Sequence, residues 1–77
     1  MIELQLLYHK GGNLMRTFAD VRKLLKQFGT VIYTGDHLGD CELILDELRE
    51  MKSYGMIDAD TYRMAVMIVK SSQQRQA

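Results

Sequence analysis

TFADVRKLLKQFG, Thr17 to Gly29, decides what kind of fold this chain takes. Phe18, Val21, Leu24, Leu25 and Phe28 recur at intervals of three and four, the period that lines side chains along one stripe of an α-helix. Thr17 is a suitable N-cap, and Asp20, three residues on, is a weaker partner for a capping box. Gly29 supplies the stop, since glycine enters the left-handed conformation that often ends a helix. Opposite the stripe stand Arg22, Lys23 and Lys26, with Arg16 just before the cap. The first helix is therefore expected to be apolar inside and basic outside.

Working outward, TVIYTGD, Thr30 to Asp36, is β-branched and aromatic, and is expected to be extended and partly packed rather than a solvated loop. Either Asp36 or Asp40 can cap the next helix, with Gly39 weakening its first turn if Asp36 does so. Cys41, Ile44, Leu45, Leu48 and Met51 form the second apolar stripe, and Gly55 ends it. Glu42, Asp46, Glu47 and Glu50 lie on the far side, so this helix is acidic where the first is basic. A third helix begins at Asp58, with Ile57 placed to staple onto Tyr62. Tyr62, Ala65, Val66 and Val69 make its core stripe, while Met64, Met67 and Ile68 fall on another side. A helix this apolar is central or pressed against something else. The expected fold is all-α, a small antiparallel three-helix bundle over residues 15–71, with 72–77 as a polar tail that frays.

Upstream, KGGNLM, Lys10 to Met15, can be written in codons as AAA GGA GGT AAT TTA ATG, an AGGAGG ribosome-binding run ahead of a start codon. Residues 1–14 are accordingly expected to be a misassigned or disordered N-terminal extension and are set aside from the fold. The competing reading is a real arm in which Ile2, Leu4 and Leu6 alternate as in a short strand.

With 77 residues there is room for one domain and a small core, which makes association a live option. Ten basic and ten acidic side chains balance. Net charge thus argues neither for nor against nucleic acid; only its distribution can. The single cysteine, Cys41, cannot form an internal disulfide, which fits a reduced cytoplasm. The opening MIELQLLYHK lacks a basic n-region and a long apolar core, so it is a poor secretory signal. No run approaches the roughly eighteen apolar residues of a membrane span.

Phe18 with Asp20-Val21, Leu24-Leu25, Phe28-Gly29-Thr30, Ile32-Tyr33-Thr34-Gly35-Asp36, Asp40, Glu42-Leu43 and Glu47-Leu48 together resemble the YqgQ-like proteins, small cytosolic proteins of Gram-positive bacteria. The resemblance runs from about Met15 to Val69, and its most specific part is Tyr-Thr-Gly followed by the acidic helix. It implies a compact three-helix bundle starting near Met15, no assigned enzyme activity, and single-stranded nucleic acid as the suggested ligand. The chain departs from the family pattern in its upstream extension and in Phe28, where a tyrosine is common.

Catalysis would need a nucleophile with its base, a carboxylate pair or a metal set. His37 and Cys41 stand one helical turn apart, but two ligands do not make a zinc site, and the other histidine, His9, lies in the upstream segment. Cys41 reads as core. Asp36, Asp40 and Glu42 are explained by capping and the helix dipole without a metal. Glycines 29, 35 and 39 have neither dinucleotide nor P-loop spacing. The expectation is a non-enzymatic protein without cofactor or metal.

Two binding surfaces remain. Arg16, Arg22, Lys23 and Lys26 with Tyr33 offer cations for phosphates and a ring for a base, hence single-stranded nucleic acid. Leu43, beside Glu47, together with Met64, Met67 and Ile68, offers adaptable apolar area for a protein partner or a homodimer. The bland alternatives are a solvated helix face for the first and coverage by the TVIY connector for the second.

Overall fold

A computed structural model describes residues 15–76 as three helices: α1, Phe18–Gln27; α2, His37–Ser53; and α3, Ala59–Gln76. The expected readings of residues 1–14 lie outside this range. The all-α three-helix bundle is as expected.

Local chemistry accounts for each helix end. Thr17 Oγ1 accepts from the Asp20 amide at 3.1 Å, and Asp20 Oδ2 accepts in return from the Thr17 amide at 3.1 Å and the Arg16 amide at 3.0 Å. Asp20 thus completes a capping box despite being shorter than the usual glutamate. Asp58 Oδ1 takes the Thr61 amide at 2.7 Å and starts α3. α1 and α2 finish alike. The Thr30 amide reaches back to the Leu25 carbonyl at 3.0 Å, and the Met56 amide to the Met51 carbonyl at 2.8 Å. Between them Gly29 and Gly55 sit at φ +84° and +75°, the Schellman arrangement that satisfies the last carbonyls of a helix.

The direction of each helix follows from what touches what. Gln73 bonds Glu42, and Lys52 lies over the Tyr62 ring at 5.7 Å, so α3 runs antiparallel to α2. Phe18, at the start of α1, shares a groove with Ile68, Ser71 and Arg75 near the end of α3, so α1 is antiparallel to α3 as well. α1 and α2 then share a direction: Phe18 meets His37 at 5.0 Å between ring centroids, Arg22 meets Asp40, and Thr30 Oγ1 meets Glu47 Oε2 at 3.2 Å. The connector must therefore travel back along α1 before α2 can begin. Seven residues from Thr30 to Asp36, at about 3.3 Å each, span about 23 Å against about 15 Å for a ten-residue helix. That geometry explains an extended connector better than strand propensity does.

The core holds Val21, Leu24 and Leu25 from α1, Cys41, Ile44, Leu48 and Met51 from α2, Ala65 and Val69 from α3, with Met15 and Ile57 closing its ends. Phe28 departs from the expected stripe. The helix stops at Gln27, so Phe28 leaves the helical phase and stands exposed as the C-cap. α3 runs past the expected boundary at residue 71. Ser72 is buried and held by the His37 ring nitrogen Nε2 at 2.7 Å, so the polar segment is part of the bundle through this turn.

Candidate nucleic-acid interface

Arg22 occupies the centre of the expected basic side, and its surroundings revise that expectation. One guanidinium nitrogen, Nη1, donates to the Ile32 carbonyl, and the other, Nη2, donates to Asp40 Oδ2 at 3.2 Å. The guanidinium also lies 4.9 Å from the Phe18 ring centroid and 5.7 Å from that of Tyr33, within the range of cation–π attraction.

Asp40 is almost wholly buried, at 1% exposure, where a lone carboxylate would be prohibitive. It is not alone. Oδ1 accepts from the Thr34 hydroxyl at 2.6 Å and the Thr34 amide at 2.8 Å, while Oδ2 takes Arg22. The Thr34 hydroxyl and then its amide, with Arg22 contributing further, hold the Asp40 carboxyl below its ordinary range.

One open alternative is resolved and one expectation changes as a result. Asp40 is no cap; Asp36 takes the N-cap position of α2, and its side chain makes no capping bond. Arg22 is no free phosphate ligand, because its charge is answered by Asp40. One sequence signal pointed to this: Asp40, Ile44 and Leu48 follow at intervals of four, which puts the acid in line with the apolar stripe.

The other cations behave as expected. Lys23 and Lys26 are exposed on the outer side of α1, and Arg16 is exposed just before it. Among the described residues none of the three has a carboxylate within ion-pairing distance. Lys26 and Arg22 line a shallow groove with Val31 and Ile32 of the connector. Tyr33 meets α1 because the connector folds back along it, with its ring 5.7 Å from the Arg22 guanidinium. The residue is 78% exposed.

The second expected surface divides. Ile68 is half-buried and packs against the core. Leu43 is half-exposed on the flank of α2 that carries Glu47, the side facing α1 and the connector. Met64 and Met67 are exposed together along a groove with Asp58, Asp60 and Arg63, on the side of α3 away from α2. These four residues do not form one continuous apolar patch.

His37 and Cys41 do face each other, Sγ to Nε2 at 3.6 Å, as their spacing suggested. Sequence reading missed the third member, Ser72, by assigning it to the tail. Its spacing of three from Val69 and seven from Ala65 was the signal available. Cys41 is fully buried, and burial, followed by the Asp40 charge, pushes its thiol up in pKa. With Phe18 against the same imidazole, this group ties the three helices together.

Fold and surface together define a small all-α domain that presents an exposed basic helix side next to a pinned aromatic connector. The chain belongs to the YqgQ-like family, whose model matches residues 15–75. It is 39% identical over 56 residues to the uncharacterized protein YqgQ of Bacillus subtilis (strain 168), an alignment covering 73% of this chain and 79% of that protein. No helix among the described residues is long and apolar enough to cross a membrane.

Proposed function

We propose that this is a non-enzymatic cytoplasmic protein that binds single-stranded nucleic acid weakly through the outer side of α1 and Tyr33. The observation that carries the reading is Tyr33, 78% exposed with its ring braced by the Arg22 guanidinium, on a bundle whose α1 lysines are exposed and form no salt bridge among the described residues. An exposed ring gives a base a stacking platform, worth about 1 to 3 kcal/mol per base, and the lysines neutralise the phosphates on either side of it.

Losing Arg22 from the phosphate ligands lowers the expected electrostatic share. Each neutralised phosphate contributes about 0.7 to the log-log salt slope for a single strand, so Arg16, Lys23 and Lys26 account for a slope of about −2. Titrating labelled oligonucleotides at 50 to 200 mM salt, a range of ordinary assay conditions, tests it by fluorescence anisotropy. Lys23→Glu with Lys26→Glu is expected to abolish binding, and Tyr33→Ala to weaken it by about tenfold. Affinity indifferent to salt and to the lysine pair removes the reading.

The alternative, a protein-docking or adaptor role through Leu43, Met64, Met67 and Ile68, has less geometric support because that set is split. Capture of partners from a bacterial lysate, with and without nuclease, separates the two. Material lost on nuclease treatment belongs to the nucleic-acid reading.

A further inference from the structure

At the N-terminal end of α1, a groove of about 360 Å³ separates the start of that helix from the end of α3. Arg16 and Arg75 line it, Phe18, Met67 and Ile68 supply its apolar wall, and among the described residues no carboxylate lines it. The nearest acid in sequence, Asp20, is engaged by the Arg16 and Thr17 amides. Arg75 donates to the neutral Ser71 hydroxyl at 3.2 Å, and among the described residues it forms no salt bridge. Two guanidiniums flanking an apolar wall suit a ligand that is anionic at one point and flat and apolar at another. A nucleotide has that chemistry.

The groove is linked to Tyr33 of the proposed strand-binding side through Phe18 and Arg22. Phe18 lines it, Arg22 lies 4.9 Å from the Phe18 centroid, and Tyr33 lies 5.7 Å beyond that guanidinium. The two rings are thus within about 11 Å of each other, at most about three nucleotide steps at the 3.4 Å rise of stacked bases.

We propose that this groove holds the terminal nucleotide of a strand about four nucleotides long, with its phosphate between Arg16 and Arg75 and its base against Met67 and Phe18. The inference rests on the single-strand reading above and adds to it a site, a direction along α1 and a fourth phosphate ligand from the end of α3.

The test uses the full chain and 5′-phosphorylated, 3′-labelled oligo(dT) and oligo(U) of two, four and eight nucleotides, so that the tetranucleotide carries four phosphates, with circular dichroism to confirm that each variant is folded. For the tetranucleotide the native slope is expected near −3, and Arg75→Ala is expected to reduce it to about −2. The same variant is expected to leave the dinucleotide unchanged, because two nucleotides at Tyr33 do not reach the groove. Affinity per strand should rise steeply from two to four nucleotides and little from four to eight. If Lys23→Glu with Lys26→Glu abolishes binding while Arg75→Ala and Arg16→Ala change neither slope nor length dependence, the groove is overturned and the strand reading survives. If the native chain binds no oligonucleotide, both fall. Equal displacement of the tetranucleotide by inorganic tripolyphosphate, which brings charge without a base, would overturn a nucleotide as occupant.

Discussion

At the scale of single residues, the pair Arg22 and Asp40 matters most, since it converts a surface cation into a structural one and pins the connector at both Ile32 and Thr34. The Asp40 carboxyl is depressed in the folded state, so its contribution to stability is present above the unfolded value of about 3.9 and is lost as pH falls through the lower folded value. Asp20 and Asp58 add to the same acid limb, held down chiefly by the amides of Arg16 and Thr17 and by that of Thr61. Urea unfolding followed by circular dichroism from pH 7 to pH 2 is therefore expected to show falling stability below about pH 4. Asp40→Asn should start lower at pH 7 and decline less steeply, because one depressed carboxyl has been removed. A parallel pair of curves would contradict that assignment. Cys41 gives a second check. Buried and raised in pKa, it should react slowly with a thiol reagent at pH 8 in the native protein and rapidly in urea. Neither role was readable from residue type: arginine and aspartate are surface residues by default, and the pairing spans a return of the chain that periodicity does not encode.

Among the elements, the helices themselves were legible and their neighbours less so. Thr17, Gly29, Gly55 and Asp58 mark ends by local chemistry, which a sequence displays directly. What periodicity could not convey was the shared direction of α1 and α2, fixed by the returning connector, or the reach of α3. Helix polarity misled there: residues after Lys70 look soluble, yet Ser72 is turned inward by the phase of Val69 and Ala65. Gly29→Ala is expected to cost about 1 kcal/mol in chemical denaturation. No atom lies within 4 Å of the position an added Cβ would take, so the cost would come from φ +84° alone. Ser72→Ala is expected to cost about 1 kcal/mol, since it removes the bond across the α2–α3 seam and leaves the half-buried His37 nitrogen only the weaker Cys41 thiol contact. Deleting residues 72–77 should lower the melting temperature as well. An unchanged midpoint on deletion would return that segment to a passive tail.

For the molecule as a whole, a small core leaves little reserve. A domain of this size is expected to hold about 3 to 9 kcal/mol in all, so Leu48→Ala, at a fully buried position in α2, should consume much of it at about 2 to 5 kcal/mol. Broad unfolding near room temperature in a thermal melt is the expected result. The bundle was legible at this scale because three amphipathic stripes leave few ways to bury them in so short a chain. The candidate interface was legible only in part: exposure of Lys23, Lys26 and Tyr33 follows from helical phase and turn residues, whereas Arg75 joins Arg16 solely through the antiparallel fit of α1 on α3. The returning connector carries one more consequence. α2 and α3 are closed by a short turn and form a hairpin on their own, while α1 is joined through a long crossing that Arg22 fastens. Hydrogen exchange should therefore resolve two cooperative units, with α1 amides opening by partial unfolding while α2 and α3 stay protected to the global limit. A ligand held by α1 would slow the first class before the second, which turns the order of exchange into a report on where the molecule is touched.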